Sequence, residues 1–214
     1  MDGQLYWKKK HLEYSKKDWI TKPTLFAQFA VKYFPKTGKI LDLGAGQGQD
    51  SRYFAELGYE VSSTDLCEEA LKISKKRSKE KKFDISFQEL DLSKGILPYK
   101  DESFDVVYAS LSLHYFDDEI TEKLFSEIRR VLRSDGIVAM LLNNINDAKT
   151  KHLTKISDGL FENDKRILRR FFSLKYLEEK VSGKFSTLIM DEQGKALLKE
   201  EPVELIRFIG KNRE

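Results

Sequence analysis

The stretch ILDLGAGQGQD, Ile40 to Asp50, sets three glycines within five residues directly behind a short apolar run. The run reads as a strand, and the glycines as a loop where the backbone turns sharply or lets a ligand come close. Beyond them Tyr53, Phe54 and Leu57 share one helical face, and Gly58 stops that helix. A strand, glycine loop and helix in this order put backbone N–H groups and a helix N-terminus beside a nucleotide-type ligand. Spacing narrows the choice. Gly44, Gly46 and Gly48 give G-x-G-x-G, whereas the dinucleotide fingerprint needs a glycine where Gln49 stands, and no phosphate loop ending in G-K-[ST] follows.

Outward from this loop, strands and helices alternate. Tyr59 to Thr64 reads as a strand, Leu66 to Lys79 as a helix, and Asp84 to Leu90 and Phe104 to Ala109 as further strands. Ile120, Leu124, Phe125, Ile128, Val131 and Leu132 form the stripe of an amphipathic helix that ends at Ser134-Asp135-Gly136. The uninterrupted apolar run Ile137 to Leu142 suits a central parallel strand covered on both faces. The pattern predicts an α/β fold, a doubly wound, mostly parallel seven-stranded sheet. Lys184 to Met190 and Val203 to Ile209, joined by a turn containing Gln193 and Gly194, are expected as a C-terminal antiparallel hairpin. One domain is expected over residues 1–214, with residues 1–35 as an N-terminal helical lid region and residues 143–172 as an insertion on the substrate side.

The 214 residues carry 38 basic and 35 acidic side chains, a net charge of +3, with 40% hydrophobic residues, the profile of a folded globular chain. Ile137 to Leu142 is the longest purely apolar run, too short to cross a bilayer, and residues 1–15 hold no apolar signal segment. A lone Cys67 excludes an internal disulfide and fits a reducing compartment, so a cytoplasmic location without a membrane partner is expected. The basic cluster Lys72 to Lys82 reads as the solvated face of a surface helix, since no aromatic residues interleave with it. Nucleic acid is therefore not expected as a partner. His11 and His152 lack neighbours at metal-ligand spacing, and no metal site is expected. Monomer and homodimer both remain open.

Two acids follow later strands. Asp65 closes VSSTD, where a carboxylate can accept both hydrogen bonds of a ribose diol, and Asp91 closes FQELD, where an acid can meet an adenine amino group. Ligands of open α/β sheets bind outside the carboxyl ends of strands, where all three features fall. With ILDLGAGQG, VSSTDLCEEAL, ELDL, LPYKDESFDVVYASLSLHYF and EIRRVLRSDGIVAM, residues 38–142 resemble the class I S-adenosylmethionine-dependent methyltransferases, a Rossmann-like transferase family. The resemblance implies S-adenosylmethionine as cofactor and S-adenosylhomocysteine as product. It implies that Asp42, Gly44, Ala45 and Gly46 wrap the methionine end. Asp65 and Leu66 would hold the ribose, Asp91 and Leu92 would flank the adenine, and Gln47 and Ser110 would add contacts. One departure is Ser134-Asp135-Gly136 in place of the family's Pro-Gly-Gly turn. The N-terminal YWKKKHLEYSKKDW with KPTLFAQFA resembles small-molecule methyltransferases of the thiopurine and tellurite-resistance type.

Methyl transfer to a small-molecule acceptor is what the resemblance implies. ASLSLHYF, Ala109 to Phe116, carries neither the (Asp/Asn)-Pro-Pro-(Tyr/Phe) motif of base or glutamine amino-methyltransferases nor the Pro-Cys pair of cytosine-C5 enzymes. His114 is the candidate general base of that stretch. Tyr6, Trp19, Tyr115 and Arg170 are the expected substrate contacts. Tyr6, Trp7 and Trp19 would form an apolar lid, and Arg169 to Phe172 a basic-aromatic patch for an anionic or aromatic substrate. The alternatives are an RNA or protein methyltransferase guided by Lys72 to Lys82, and a catalytically inactive cofactor-binding protein.

Overall fold

A computed structural model describes residues 3–194 and 204–213. The first half runs α1 (Gly3–Tyr14), α2 (Leu25–Ala30), β1 (Lys39–Leu43), α3 (Gln49–Glu56), β2 (Glu60–Asp65), α4 (Glu68–Glu80), β3 (Ile85–Glu89) and β4 (Phe104–Ser110). There follow α5 (Asp118–Val131), β5 (Leu132–Asn143), β6 (Thr154–Ser157), β7 (Leu160–Glu162) and β8 (Leu168–Arg170). The chain continues with α6 (Leu174–Val181), β9 (Phe185–Asp191) and β10 (Leu205–Asn212).

Seven strands form one sheet in the order β3-β2-β1-β4-β5-β10-β9. The first five are parallel, and β10 is antiparallel to both β5 and β9. The expected C-terminal pair is thus present, although Val203 of its second strand lies outside the described residues. Winding reverses between β1 and β4, which opens a crevice at their carboxyl ends.

Side chains alternate across these strands, and both faces are covered. Leu41, Leu43, Val107, Ala109 and Met140 pack with Leu124, Phe125 and Ile128 of α5 and Leu177 of α6. Ile40, Val106, Tyr108 and Ala139 meet Phe26 of α2 and Phe54 of α3 on the opposite face. Helix α5 starts at a cap in which the Asp117 side chain accepts from Ile120 N, and Asp118 and Glu119 complement its dipole.

Three local features differ from expectation. Helix α5 ends at Val131, because Leu132 already pairs with Phe104; residues 133–136 then loop out before Ile137 pairs with Val106. Helix α4 begins only at Glu68, which leaves Leu66 in the loop at the carboxyl end of β2. A second, antiparallel sheet of order β6-β7-β8 lies within residues 143–172. Its first turn is Asp158-Gly159, a hairpin signal when flanked by strands, and a Cβ on Gly159 would stand 2.7 Å from Phe171 O. Backbone bonds tie this sheet to the main one: Arg170 N donates to His114 O and Phe172 N to Asn143 O, each at 2.8 Å. Among the described residues, no helix is long and apolar enough to cross a membrane.

Candidate functional site

Beyond β1 the chain enters the glycine loop. Gly44 and Gly46 have φ of 70° and 58°, left-handed values that residues with a Cβ rarely adopt. A Cβ on Gly44 would stand 2.4 Å from Ser112 Cβ, and one on Gly46 would stand 2.9 Å from His11 Cε1. The loop is held from beneath. Ala45 N donates to Thr64 O at 2.7 Å, Gly48 N to Ala45 O at 2.9 Å, and Arg52 Nη1 to Gln47 O at 2.6 Å. Gly46 N donates to Asp65 Oδ2 and Cys67 N to Asp65 Oδ1, both at 2.8 Å.

Amides expected to face a ligand are therefore spent inside the protein. The glycines serve close approach and turning rather than collection of an anion, as a phosphate-binding loop would. Asp65 keeps acceptor capacity, since a carboxylate offers about four lone-pair sites and the two backbone bonds use two of them. Burial raises its pKa, and the neighbouring His11 counters that shift.

Asp42 departs from expectation. It is 2% exposed, accepts from Ser51 Oγ at 2.6 Å and does not line the main cleft, so it supports the loop from below. Burial, opposed by the Ser51 bond, pushes its carboxyl up to about 8. A carboxyl raised on folding contributes stability present below its unfolded value of about 4 and lost as pH climbs through the folded value. Asp42→Asn is accordingly expected to flatten the fall in thermal midpoint between about pH 4 and pH 8. Parallel wild-type and variant curves over that range would contradict this assignment.

Helix α1 crosses the loop. Gln4, Trp7, His11 and Tyr14, at spacings of 3, 4 and 3, occupy one helical face and all line the cleft. Gln4 Nε2 donates to Glu89 Oε1 at 2.9 Å, Lys8 pairs with Glu69, and Gln47 Nε2 donates to His11 O at 2.6 Å. Trp7 reaches the other half of the cleft, with its ring 5.0 Å from that of Tyr115. Helix α1 thus spans both halves of the cleft. His11 is buried, its Nδ1 has no hydrogen-bond partner, and burial lowers its pKa while Asp65 opposes the shift. Gln47 spends its amide on His11 O and on Arg77 Nη1 at 2.7 Å, so its side chain ties α1 and α4 to the loop. Lys72, Lys75, Lys76 and Lys79 of the basic cluster are exposed, but its Arg77 turns inward.

The cleft measures about 2070 Å³. From the expected cofactor set, Gly44, Ala45, Gly46, Gln47, Asp65, Leu66, Asp91, Leu92 and Ser110 line it. So do Trp19, His114 and Tyr115 from the expected catalytic and substrate sets. Asp91 Oδ1 is occupied by Ser93 N and Ser93 Oγ, at 3.0 and 2.6 Å. His11 Nδ1, Gln49 Oε1, Ser112 Oγ and His114 Nδ1 are buried, line the cleft and lack hydrogen-bond partners. Buried polar groups are ordinarily paired, so these four atoms stand out as unpaired in residues that border the cleft. Between Ser110 and Ser112, Leu111 holds φ of 57°, a strained value for a branched residue of the kind that clusters at functional sites. Burial, reinforced by the charge of Arg169, holds the His114 pKa well below the ordinary histidine range.

Two expected substrate contacts fall elsewhere. Arg170 is 2% exposed, its Nε donates to Phe116 O at 3.1 Å, and its guanidinium lies 5.0 Å over the Tyr176 ring. Successive side chains of a strand point to opposite faces, so in β8 it is Arg169 that enters the cleft. Tyr6 stands behind the cleft wall, 5% exposed, with its hydroxyl 3.4 Å from Arg169 Nη2. Residue order alone gave no sign of which arginine faces inward. His11 was detectable through the Gln4-Trp7-His11-Tyr14 spacing. Among the described residues, no group of three or more His, Cys, Asp or Glu side chains is placed to hold a metal ion.

Comparison with known proteins matches residues 41–140 to a family model described as a methyltransferase domain. A ribosomal protein L11 methyltransferase of Dictyoglomus turgidum is 32% identical over 133 residues, 57% of this chain and 42% of that protein. The chain therefore matches less than half the length of that relative. Among solved structures, the 1,6-didemethyltoxoflavin-N1-methyltransferase of Burkholderia thailandensis, with 1,6-didemethyltoxoflavin and S-adenosylhomocysteine bound, aligns at a TM-score of 0.74 and 18% identity. That alignment covers 98% of this chain and 85% of the other. TehB from Haemophilus influenzae aligns at a TM-score of 0.66 and 16% identity, over 87% of this chain and 61% of that one. At such identities the structural likeness establishes the fold.

Proposed function

We propose that this chain is a class I S-adenosylmethionine-dependent methyltransferase, a reading supported by the methyltransferase-domain match over residues 41–140, and that it methylates a small-molecule acceptor held in the cleft. When bound, S-adenosylmethionine supplies an electrophilic methyl on a sulfonium sulfur. The carrying observation is the continuity of the cleft. The cleft runs from the glycine loop and Asp65 past Ser112, which abuts Gly44, to His114 and Tyr115, and α1 carries His11 against Gly46 and Trp7 against Tyr115. Gly44 and Gly46, which leave no room for a Cβ, and the unpaired His11 and Gln49 atoms suit the cofactor end. Asp65 would take the ribose diol through its two remaining acceptor sites. Leu66, Leu92 and Asp91 would border the base. The indole of Trp7 and the ring of Tyr115, edge to face, exclude water from the reacting end. Holding acceptor and methyl in line contributes up to roughly 7–11 kcal/mol, so orientation by this wall can carry most of the rate.

His114 has a limited part in proton transfer. A base serves best with a pKa near the working pH, and burial keeps this imidazole neutral well below that range. The dependence of kcat/KM on pH is expected to lack a His114 inflection between about pH 6 and pH 7. An inflection there that vanishes in His114→Asn would overturn this.

Calorimetry with S-adenosylhomocysteine tests the cofactor assignment, and the absence of heat at millimolar ligand would refute it. For the acceptor, the protein is incubated with S-adenosylmethionine and either an ultrafiltered small-molecule extract or the retained protein and RNA. S-adenosylhomocysteine should form with the ultrafiltrate. Formation only with the retained fraction would favour a macromolecular acceptor, the class named in the L11 methyltransferase relative.

A further inference from the structure

The geometry points to an aromatic carboxylate as the methyl acceptor, its carboxylate held by Arg169 where that side chain lies against Tyr6 and Tyr115 in the cleft. This rests on the reading that Gly44, Gly46 and Asp65 hold the cofactor. Three cationic side chains of the cleft wall contrast with one another. Arg207 is neutralised by Asp191 through bonds of 2.8 and 2.6 Å, and Lys149 lies 4.0 Å from Asp147. Arg169 is half-buried and has no carboxylate partner among the described residues. Its neighbours are phenols: Nη2 lies 3.4 Å from the Tyr6 hydroxyl, and the guanidinium sits 5.4 Å from the centroid of the Tyr115 ring.

A charge withdrawn from water without a counter-ion is costly, and a guanidinium is a planar fork matched to a carboxylate. Tyr6 and Tyr115 hold that fork in place without neutralising it. Tyr6 is fixed in turn by its edge contact with Trp7, at 5.1 Å, and by Lys165 over its ring at 5.9 Å. The rings of Trp7, Tyr14, Trp19, Tyr115 and Phe171 line the same cleft, with Tyr115 against the guanidinium and Trp7 against Tyr115. Flat aromatic walls with a single forked cation select a flat apolar body bearing one anionic group. The strand alternation that turned Arg170 away presents Arg169 alone.

The cofactor's own carboxylate shares this chemistry, and the test separates the two sources. Calorimetry is run first with S-adenosylhomocysteine alone; failure there removes the cofactor reading itself. Protein saturated with S-adenosylhomocysteine is then titrated with benzoate, cinnamate and indole-3-acetate, with their amides, and with butyrate. At least one aromatic acid is expected to bind roughly tenfold or more tighter than its amide, the scale of a charge-assisted bidentate contact. Arg169→Gln should remove that preference and leave S-adenosylhomocysteine affinity within about twofold, since the cofactor end is untouched. Arg169→Lys, which keeps the charge but loses the fork, should retain only part of the preference. The proposal is overturned if no acid outbinds its amide, if butyrate binds as well as the aromatic acids, or if Arg169→Gln weakens S-adenosylhomocysteine instead.

Discussion

Asp65→Ala is expected to bind S-adenosylhomocysteine about a hundredfold to a thousandfold more weakly than wild type while the protein stays folded. The variant loses acceptors for Gly46 N and Cys67 N, which anchor the glycine loop and the start of α4, together with those left for the ribose. Hydrogen bonds to a charged group contribute roughly 1.5–3 kcal/mol each, and about 1.4 kcal/mol is tenfold in affinity. Two such losses reach the stated range. Asp65→Asn keeps one acceptor oxygen and should lose less. Calorimetry decides the matter, with circular dichroism reporting the fold, and an affinity unchanged in Asp65→Ala would remove this residue from the cofactor site.

A comparable effect is expected for Gly44→Ala, and here the control is another glycine. A left-handed conformation costs a residue with a Cβ roughly 1–2 kcal/mol. At Gly58, with φ of 93° and nothing within 4 Å of an added Cβ, that strain is the whole effect. Gly58→Ala should therefore lower the thermal midpoint by about 2–8 °C and leave ligand affinity intact. Gly44 carries the same strain, and its new Cβ would also stand 2.4 Å from Ser112 Cβ. Either the loop or the segment holding Ser112 and His114 must move, and both border the cleft. A larger fall in midpoint with at least about tenfold weaker S-adenosylhomocysteine binding is expected. If Gly44→Ala behaved like Gly58→Ala, the close fit of loop and segment would be refuted.

The legible parts of this protein are those carried by neighbours in the chain. Tyr53, Phe54 and Leu57 announce a helix behind the glycines, and Ile137 to Leu142 a strand covered on both faces, because each pattern repeats within one element. The three-stranded sheet was missed although Asp158-Gly159 marks its first turn, since its strands are only three or four residues long. The cleft-facing side of α1 escaped for another reason. Its repeat is of Gln, Trp, His and Tyr, which carries little apolar contrast against the opposite face.

By itself the sequence determined the winding of the sheet, the glycine loop and the acids at the ends of β2 and β3. Side-chain period, connection length and the demand for a residue without a Cβ are local properties. Only the tertiary structure decided that Asp42 lies beneath the loop, that His11 closes over Gly46, and that Arg169 rather than Arg170 faces the cleft. Each of these depends on what packs opposite: Ser51 against Asp42, α1 against the loop, and Phe116 with Tyr176 against Arg170. Such partners lie far away along the chain or across the sheet, and a polar side chain's environment is set by the surface it meets rather than by its neighbours in sequence.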